Sequence, residues 1–233
     1  MNFCEAGIVC GIFRFCWRTT QNEGDWLMPK FNELPFNARP DLTPYLLHMT
    51  KNTKADDAYS AFDNLVSILK TGEIWGSDSS KGFIKGYNRA ACFMDVPFNS
   101  MKYVLTPENS DPNAPRYEAY GIAITKVFAY RHGCRPVLYL SNDEIKSICI
   151  PAKELWRVVR FEVRNNTWIS WLHEREWRCK GNFTLPAKAV AVFVKDQRDA
   201  MKLHRLLSME PENFKCKPRS IIPLNVICQG LLA

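Results

Sequence analysis

The sequence predicts an α+β fold rather than a doubly wound parallel sheet. Strand-like runs cluster along the chain without regular β-α-β alternation. Helical patterns with their own start and stop signals separate some of these runs. The chain contains neither a G-x-G-x-x-G nor a G-x-x-x-x-G-K-[ST] loop, so the two common nucleotide-binding loops of parallel-sheet proteins are absent.

Length and composition predict one substantial globular domain with an appended segment. The 233 residues are 46% hydrophobic and 24% charged. Residues 19–44 are polar and contain four prolines, which favours an irregular arm. We therefore expect an N-terminal apolar segment and arm over residues 1–43 and a folded domain over residues 44–233. The longest uncharged run near the N-terminus, residues 6–13, is too short to span a bilayer, so we expect no membrane association and a cytoplasmic protein.

The first part of the domain is predicted to hold a strand, a helix and a second strand. The run "YLLHMT", residues 45–50, is β-like. Apolar residues at helical spacing predict a helix over residues 58–70, and Gly72 is its stop signal. A glycine-containing loop then leads to the strand predicted at residues 90–96, which Pro97 closes.

The middle of the chain is predicted to be strand-rich. Residues 106–117 have the composition of an exposed loop. Residues 120–130 and 135–140 are two strand candidates. Ser141 and Glu144 then form an S-x-x-E capping box that opens a short helix.

The last third is predicted to hold four strands and one helix. A helix over residues 196–208 begins at Asp196, a suitable N-cap residue. A Trp-rich loop is expected at residues 168–173. The strands are expected at residues 156–163, 174–181, 188–195 and 220–227.

Charge and cysteine content narrow the partners and the chemistry. The net charge of +7 favours a polyanionic partner, although many basic proteins bind no nucleic acid. The nine cysteines are scattered without a C-x-x-C pair, so no zinc site is predicted. We expect them to be reduced and mostly buried. Four histidines in the chain give no local support for a catalytic cysteine.

Two glutamates stand one residue apart in the stretch "HEREWR". On a strand, residues two apart share a face, so Glu174 and Glu176 are expected to point the same way. A second such pair, Glu210 and Glu212, is interrupted by a proline among polar residues and indicates a solvated loop. The alternative for Glu176 is a surface ion pair with a neighbouring arginine such as Arg178, which would contribute little free energy.

A second polar pair lies on the predicted first strand. His48 and Thr50 share one face of "YLLHMT". Taken alone, a histidine on a strand is usually structural. Along the chain, this His-x-Thr in an early strand is followed by the Glu-x-Glu at the start of a late strand.

These elements carry a resemblance to a known family. The chain resembles ADP-ribosyltransferases of bacterial phage-defence and toxin–antitoxin systems: the AbiGi-like abortive-infection proteins and, more distantly, the DarT-like toxins that modify nucleic acid. The resemblance covers about residues 44–195 and leaves both ends unmatched. It implies a split mixed β-sheet with flanking helices and an NAD-binding cleft. The segments concerned are "LLHMT", "NLVSILKTGEIWG", "ACFMDVPF", "YEAYGIAITK", "RPVLYL" and "HEREWR".

The resemblance also implies a role for individual residues. Glu176 matches the catalytic glutamate, and Glu174 would orient or deprotonate the nucleophile. His48 matches the residue that binds the adenosine ribose or phosphates of NAD, and Thr50 follows it as the usual small hydroxyl residue. Two further positions, Tyr87 and Arg89, match the aromatic that stacks on nicotinamide and a phosphate contact.

NAD is the implied co-substrate, and no metal is implied. Cleavage of the bond between nicotinamide and ribose develops positive charge on the sugar, as in other glycosidic cleavages. An ionised Glu176 near the ribose 2-hydroxyl would stabilise that charge in the transition state.

The acceptor is the least determined part of the prediction. The basic charge and the tryptophans 168, 171 and 177 favour a single-stranded nucleic acid, with RNA placed ahead of DNA. Tryptophans pack in cores more often than they stack on bases. Two alternatives stay open: a protein-directed transferase or NAD glycohydrolase, and a non-enzymatic nucleic-acid or partner-binding module. The resemblance further implies an antitoxin and a chaperone that recognises an apolar terminal segment such as residues 1–17.

Overall fold

A computed structural model describes residues 39–53, 59–80, 84–106, 108–110, 116–189 and 191–229. The N-terminal apolar segment and most of the predicted arm lie outside the described residues. The boundary at residue 44 and the docking role of residues 1–17 therefore stay predictions.

The described residues form thirteen short strands and five α-helices in α+β order, which confirms the predicted class. The helices are α1 (Ala61–Thr71), α2 (Lys126–Arg131), α3 (Asn142–Ser147), α4 (Gln197–Met209) and α5 (Leu224–Ile227). The strands are β1 (Tyr45–Met49), β2 (Glu73–Ile74), β3 (Ala90–Phe93), β4 (Gly121–Thr125), β5 (Arg135–Pro136), β6 (Leu138–Leu140), β7 (Val158–Arg160), β8 (Glu162–Arg164), β9 (Thr167–Ile169), β10 (Trp177–Lys180), β11 (Phe183–Thr184), β12 (Ala191–Val194) and β13 (Ile221–Pro223).

The larger sheet is mixed. Its strand order is β1-β4-β12-β13. β4 pairs antiparallel with β1 and with β12, whereas β12 and β13 run parallel. The register places His48 opposite Ile122 and places Ile122 opposite Val192. β1 therefore forms one edge of this sheet, and its polar residues lie at that edge.

A smaller sheet of order β3-β10-β5 lies beside the first. The two sheets meet at an antiparallel bridge between Leu47 of β1 and Met94, the residue after β3. Each of these residues donates its N–H to the carbonyl of the other, at 2.9 and 2.8 Å. Within the described ranges this bridge, rather than a continuous ladder, joins β1 to β3, which gives the predicted split mixed sheet.

The larger sheet is covered on both faces. Successive strand residues point to opposite faces, so each strand supplies two apolar clusters and is an almost unbroken apolar run in the sequence. One cluster packs against α1 and α4 and includes Leu46, Ile122, Val192, Leu65 and Leu203. The other packs against α5 and includes Leu47, Ala123, Phe193 and Leu224.

Local signals determine the ends of α1. The Ser60 side chain accepts a hydrogen bond from the N–H of Asp63, and the Asp63 side chain accepts one from the N–H of Ser60. At the other end Gly72 adopts a left-handed conformation with φ of 68° and donates its N–H to the carbonyl of Ile68. The predicted helix over residues 58–70 is thus confirmed, with its first turn beginning at Ala61.

Two predicted strands turn into helices partway along. The strand expected over residues 120–130 ends at Thr125, whose side chain accepts the N–H of Phe128 and caps α2. The strand expected over residues 220–227 ends at Pro223, which has no N–H to continue a ladder, and α5 follows. These two predictions were wrong in their second halves because the Thr125 cap interrupts one apolar run and Pro223 interrupts the other.

The region before the paired acids also differs from the prediction. The predicted Trp-rich loop over residues 168–173 begins inside the hairpin β8–β9, in which Val163 pairs with Trp168. Asn165 and Asn166, with φ of 48° and 60°, form its turn. The strand predicted from residue 174 begins only at Trp177, after a 3₁₀ turn at residues 172–174.

The described residues also bear on membrane insertion and on the state of the cysteines. Within those residues, no helix combines the length and apolar character needed to cross a membrane. Six cysteines fall in the described ranges; all six are free thiols, and four of them are buried.

Candidate active site

A cavity of about 490 Å³ opens where the two sheets separate. β1 contributes His48, β3 contributes Cys92, and the chain before β10 contributes Glu174 and Glu176. Thr50 also lines it. The fold therefore brings together four of the six residues predicted from the sequence, although they come from opposite ends of the domain.

His48 is held in one tautomer by its neighbour strand. Its Nδ1 lies 2.8 Å from the carbonyl oxygen of Cys92. A carbonyl only accepts, so Nδ1 carries the proton and donates. Burial lowers the pKa of His48, which keeps the ring neutral. Nε2 is then an unprotonated acceptor, suited to a hydroxyl group.

Thr50 uses its hydroxyl within the fold. Its Oγ1 donates to the carbonyl of Ala61, the first residue of α1, at 2.8 Å. The residue is 5% exposed. This hydrogen bond ties the end of β1 to the start of α1, so Thr50 helps to set the position of the helix that forms one wall of the cavity.

Glu176 is paired with Arg178 in the interior. Arg178 Nε lies 2.8 Å from Glu176 Oε1, and its Nη2 lies 3.1 Å from Oε2. Glu176 is 8% exposed and Arg178 is 2% exposed. Arg178 also donates through Nη1 to the carbonyls of Trp156 and Val158. The surface ion pair considered from the sequence is therefore wrong: the pair is buried and bidentate.

The turn that carries both acids is fixed by Tyr139 of β6 and by Asp95, which follows β3. Tyr139 of β6 accepts the N–H of Glu176 at 2.9 Å and donates its hydroxyl to the carbonyl of Trp171 at 3.4 Å. The N–H of Asp95 donates to the carbonyl of Glu174, and Arg175 Nε donates to the carbonyl of Asp95 at 2.8 Å. These contacts hold the turn in place before any substrate binds.

The αL residue Arg175, with φ of 44°, explains how both acids reach one cavity. The expectation that Glu174 and Glu176 share a strand face was wrong, because residue 174 belongs to a 3₁₀ turn. The left-handed residue between them reverses the chain locally and directs both side chains into the cavity lining.

Glu174 has a different set of partners. The hydroxyl of Tyr117 donates to Glu174 Oε1. Arg116 Nη2 lies 3.6 Å from the same oxygen. The Arg116 guanidinium lies 3.7 Å from the ring centroid of Trp171. Arg116 and Tyr117 line the cavity, and Trp171 lies three residues before Glu174. None of the three was singled out for this role from the sequence.

The environments of the two acids differ. Burial, together with the nearby charge of Glu176, raises the pKa of Glu174. Glu176 instead lies against the fixed positive charge of Arg178. Pairs of carboxylates whose surroundings differ in this way can divide the roles of proton acceptor and charge stabiliser.

The cavity also contains a thiol and an aromatic that the sequence did not single out. Burial and the charge of Glu176 raise the pKa of the Cys92 thiol, which keeps it protonated. Trp75 lines the cavity while 73% exposed, and its Nε1 donates to Glu73 Oε2 at 3.1 Å. A possible sequence signal for Trp75 was its place inside the matching segment "GEIWG".

Ser77, two residues after Trp75, and the acid-bearing turn contact opposite ends of β3. The neighbouring Ser77 bridges Ala90 at the start of β3, whereas Met94 follows the end of β3 beside the acid-bearing turn. Four residues of extended chain separate these points, or about 13 Å.

Tyr87 and Arg89 are placed elsewhere. Neither is among the residues that line the cavity. Tyr87 is 73% exposed. Arg89 is exposed and lies 3.6 Å from Asp78. Their predicted contacts with nicotinamide and phosphate stay predictions, and this structure does not bring the two residues together with His48 and Glu176.

The three candidate tryptophans have three different settings. Trp168 on the β8–β9 hairpin is 66% exposed. Trp171 stacks against Arg116 beside the cavity. Trp177 is partly buried and packs on the core cluster under β10. Trp168 is thus the candidate with a large open surface.

The described part of the chain also bears on metal binding. There, no group of three or more His, Cys, Asp or Glu side chains is arranged to hold a metal ion.

Comparisons with known proteins give few matches. No protein-family profile matches the chain, and no curated protein sequence matches it. Among solved structures, the chain is similar to Thermus sp. 2.9 DarT in complex with carba-NAD+, with a TM-score of 0.43, 14% identity, and coverage of 78% of this chain and 96% of that chain. The complex of Thermus sp. 2.9 DarT with NAD+ gives a TM-score of 0.42 at the same identity and coverage. The complex of Thermus sp. 2.9 DarT with ADP-ribosylated ssDNA gives a TM-score of 0.43 at 14% identity, and the match covers 78% of this chain and 95% of that chain.

Proposed function

We propose that this protein is an NAD-dependent mono-ADP-ribosyltransferase that modifies a base in single-stranded nucleic acid. The observation that carries the proposal is the convergence of His48, Glu174 and Glu176 on one cavity at the split of the sheet. A neutral histidine, a carboxylate paired with a buried arginine and a second acid with a raised pKa suit the cleavage of a glycosidic bond.

His48 is assigned to a ribose hydroxyl of NAD rather than to a phosphate. Nδ1 is committed to the Cys92 carbonyl, so Nε2 presents a lone pair to the cavity. A ribose hydroxyl can donate to that lone pair. A phosphate oxygen is itself an acceptor and would require a protonated ring, which the lowered pKa of His48 opposes.

Glu176 is assigned to the sugar of the bond that breaks. Arg178 takes one lone pair from each carboxylate oxygen, and each oxygen keeps another for a second hydrogen bond. The carboxylate can therefore accept from the ribose 2-hydroxyl and stabilise the positive charge that develops on the sugar. Arg178 holds the carboxylate in one orientation, so little reorganisation is needed as that charge develops.

Glu174 is assigned to the acceptor. In the transfer, the bond between ribose C1′ and nicotinamide N1 breaks, and its electron pair stays on nicotinamide, which leaves neutral. A new bond forms between C1′ and a nitrogen or oxygen of the acceptor. The proton displaced from the acceptor passes to Glu174, whose raised pKa favours accepting it.

The dimensions of the cavity suit an extended dinucleotide. Trp75 lines the cavity two residues before Ser77, whose end of β3 lies about 13 Å along the strand from the end beside the acid-bearing turn. The indole ring is exposed and tethered through its Nε1 to Glu73, so its faces are available for stacking. We assign this end to the adenine base.

A single strand is the proposed acceptor, with RNA placed ahead of DNA. The β8–β9 hairpin precedes the acid-bearing turn and exposes Trp168 and Val163 on one face. Arg160 and Arg164 flank these residues and are partly neutralised by Glu162. Aromatic faces beside cations suit unpaired bases and a phosphate backbone, and the net charge of +7 favours a polyanion.

The test is mass spectrometry of RNA and DNA single strands after incubation with NAD and the full-length protein. A mass gain of one ADP-ribose on either polymer is the expected result. Matched duplexes and bovine serum albumin serve as competing acceptors. Label from NAD that appears only on protein would contradict the proposal.

A protein-directed transferase or an NAD glycohydrolase would share this site. Such an enzyme would release nicotinamide at the same rate with and without oligonucleotide, which the same incubation measures. A non-enzymatic binding module is the third candidate. Its basis was a surface ion pair in "HEREWR", whereas Glu176 and Arg178 are buried.

The biological setting is proposed from the resemblance to phage-defence and toxin–antitoxin proteins. It comprises a cytoplasmic toxin, a cognate antitoxin and a chaperone. Co-expression tests this setting directly: the active chain should arrest growth, and the Glu176→Gln variant should not.

A further inference from the structure

We propose that Tyr117, together with Arg116 and Trp171, is a positioning unit that directs Glu174 toward the acceptor and controls its proton transfer. This inference rests on the proposed function and assigns residues that the resemblance did not. It separates the site into two parts: Glu176 with Arg178 for the cleavage of NAD, and Glu174 with Tyr117 for the delivery of the acceptor.

The first observation is that both neighbours of Glu174 reach the same oxygen. The Tyr117 hydroxyl donates to Glu174 Oε1, and Arg116 Nη2 lies 3.6 Å from it. Glu174 Oε2 is left to accept from another group. A carboxylate that is held through one oxygen presents the other in a defined direction.

The second observation is that the partners of Glu174 are themselves fixed. The N–H groups of Arg116 and Tyr117 donate to the carbonyl of Asn109 at 2.8 and 3.1 Å. Asn109 in turn donates its side-chain amide to the carbonyl of Val104 at 2.9 Å. The Tyr117 ring packs against the core cluster that includes Val104.

The third observation joins this segment to the acid-bearing turn. The Arg116 guanidinium lies over the Trp171 ring at 3.7 Å, and Trp171 is only three residues before Glu174. Cation–π contact of this kind is strongest where water is excluded. The stack therefore joins the segment that contains Arg116 and Tyr117 to the acid-bearing turn, although the two are far apart in sequence.

The electrostatic consequence has a definite sign. Burial raises the pKa of Glu174, and the hydrogen bond from Tyr117 and the charge of Arg116 oppose that rise. Removing the Tyr117 hydroxyl should therefore raise the pKa of Glu174 further. The other titratable or charged groups facing Glu174 are His173 on its own turn, Glu176, Cys92 of β3 and Tyr139 of β6.

The experiment compares Tyr117→Phe with Tyr120→Phe in the full-length protein. Tyr120 is a matched control, because its partly buried hydroxyl also donates to a carboxylate, Asp199 at 2.6 Å, but it does not line the cavity. Nicotinamide release and ADP-ribose on a single-stranded oligonucleotide are measured together across about pH 5 to 9.

Tyr117→Phe should lower the ADP-ribose transferred per nicotinamide released by about tenfold, the scale of one hydrogen bond to a charged group. In the pH dependence of the ADP-ribose transfer rate, the acid limb should move to higher pH. Nicotinamide release to water should change by less than about threefold, because Glu176 and Arg178 are untouched. Tyr120→Phe should change none of these quantities.

An unchanged ratio and acid limb in Tyr117→Phe, or equal changes in Tyr120→Phe, would overturn the inference. So would a parallel fall in nicotinamide release, because Tyr117 would then serve the cleavage of NAD. A wild-type protein that releases no nicotinamide would instead show that the proposed function is wrong, and this inference would fall with it. Should Tyr117→Phe not fold, Arg116→Gln tests the same unit and should also lower the ratio.

Discussion

Arg178 binds both carboxylate oxygens of Glu176, at 2.8 and 3.1 Å, with both residues buried beside the cavity. Burying such a pair costs desolvation free energy, and a hydrophobic pair of similar size is often as stable. Arg178 limits that cost through two further hydrogen bonds to the carbonyls of Trp156 and Val158. The arrangement is therefore better explained by a need to hold one carboxylate in a fixed orientation than by stability.

Glu176→Gln should abolish most NAD cleavage. The amide keeps the shape of the side chain but loses the negative charge, so we expect kcat to fall by about 10²- to 10³-fold, as for removal of one preorganised electrostatic group. Nicotinamide release measures this directly. Because Arg178 loses its charged partner, stability should also fall, by up to about 3–5 kcal/mol, and circular dichroism must show that the variant is folded.

The chain supplies a control for this substitution. Glu212 is the second acid of the other Glu-x-Glu pair, and it is exposed in a 3₁₀ turn at residues 211–213. Glu212→Gln should leave nicotinamide release unchanged. Equal activity in the two variants would mean that Glu176 has no role in the reaction.

Glu174→Gln should change the pH dependence of stability. The pKa of Glu174 is raised in the folded state by burial, so its ionisation opposes folding. In the wild type, the contribution of Glu174 to the free energy of unfolding is complete below the ordinary Glu pKa. It is lost as the pH rises through the raised pKa of the folded state. Gln does not titrate. The stability of Glu174→Gln minus that of the wild type should therefore increase from about pH 4 to pH 7.

Glu144→Gln provides a control of opposite sign. Hydrogen bonds in its capping box lower the pKa of Glu144, so the wild type keeps this contribution above the ordinary Glu pKa and loses it in acid. The stability of Glu144→Gln minus that of the wild type should therefore decrease as pH rises. Thermal unfolding resolves both trends, since about 1 kcal/mol shifts Tm by about 2–4 °C in a domain of this size. Parallel slopes in the two variants would contradict the assigned environment of Glu174.

His48 and Thr50 should differ in what they contribute. His48→Asn places an amide donor near the Cys92 carbonyl but removes Nε2, so we expect KM for NAD to rise by about 3- to 10-fold. Thr50→Val removes the bond to Ala61 and should cost about 1 kcal/mol of stability with KM unchanged. Initial rates against NAD concentration and Tm distinguish the two. A rise in KM for Thr50→Val that equals the rise for His48→Asn would assign the Thr50 hydroxyl to NAD.

Trp75 and Tyr87 form a natural pair for locating the aromatic contact with NAD. Both side chains are 73% exposed, but Trp75 lines the cavity and Tyr87 does not. Trp75→Ala should weaken NAD binding by about tenfold, the lower part of the range for a base stacked on an aromatic ring. Calorimetric titration with NAD measures this in each variant. A larger loss in Tyr87→Ala would support the contact predicted for Tyr87 and would argue against the assignment of Trp75.

Four of the six residues predicted for the site line one cavity, and their roles, which come from the resemblance, stay predictions. His48 and Thr50 stand out in the sequence because they form a polar pair at strand spacing within an apolar run. Glu174 and Glu176 were distinguished from Glu210 and Glu212 by their aromatic neighbours. The capping boxes of α1 and α3 depend on residues three apart, and the structure contains both.

Other features depended on contacts distant in sequence. The sequence predicted Arg178 at the surface, whereas in the structure it is buried and donates to the carbonyls of Trp156 and Val158. Arg116 and Tyr117 lay in a predicted loop with no periodicity, and Tyr117 reaches Glu174 across 57 residues of sequence. Trp75 lines the cavity two residues before Ser77, which bridges Ala90 at the start of β3.

The sequence by itself therefore determined the α+β class and the strand that carries His48, because these follow from local periodicity and turn chemistry. Only the tertiary structure decided that both acids enter one cavity, that Arg178 is buried with Glu176, and that Tyr117 holds Glu174. The physical reason is that burial and hydrogen-bond partners arise from the pairing of distant strands, and no local pattern specifies them.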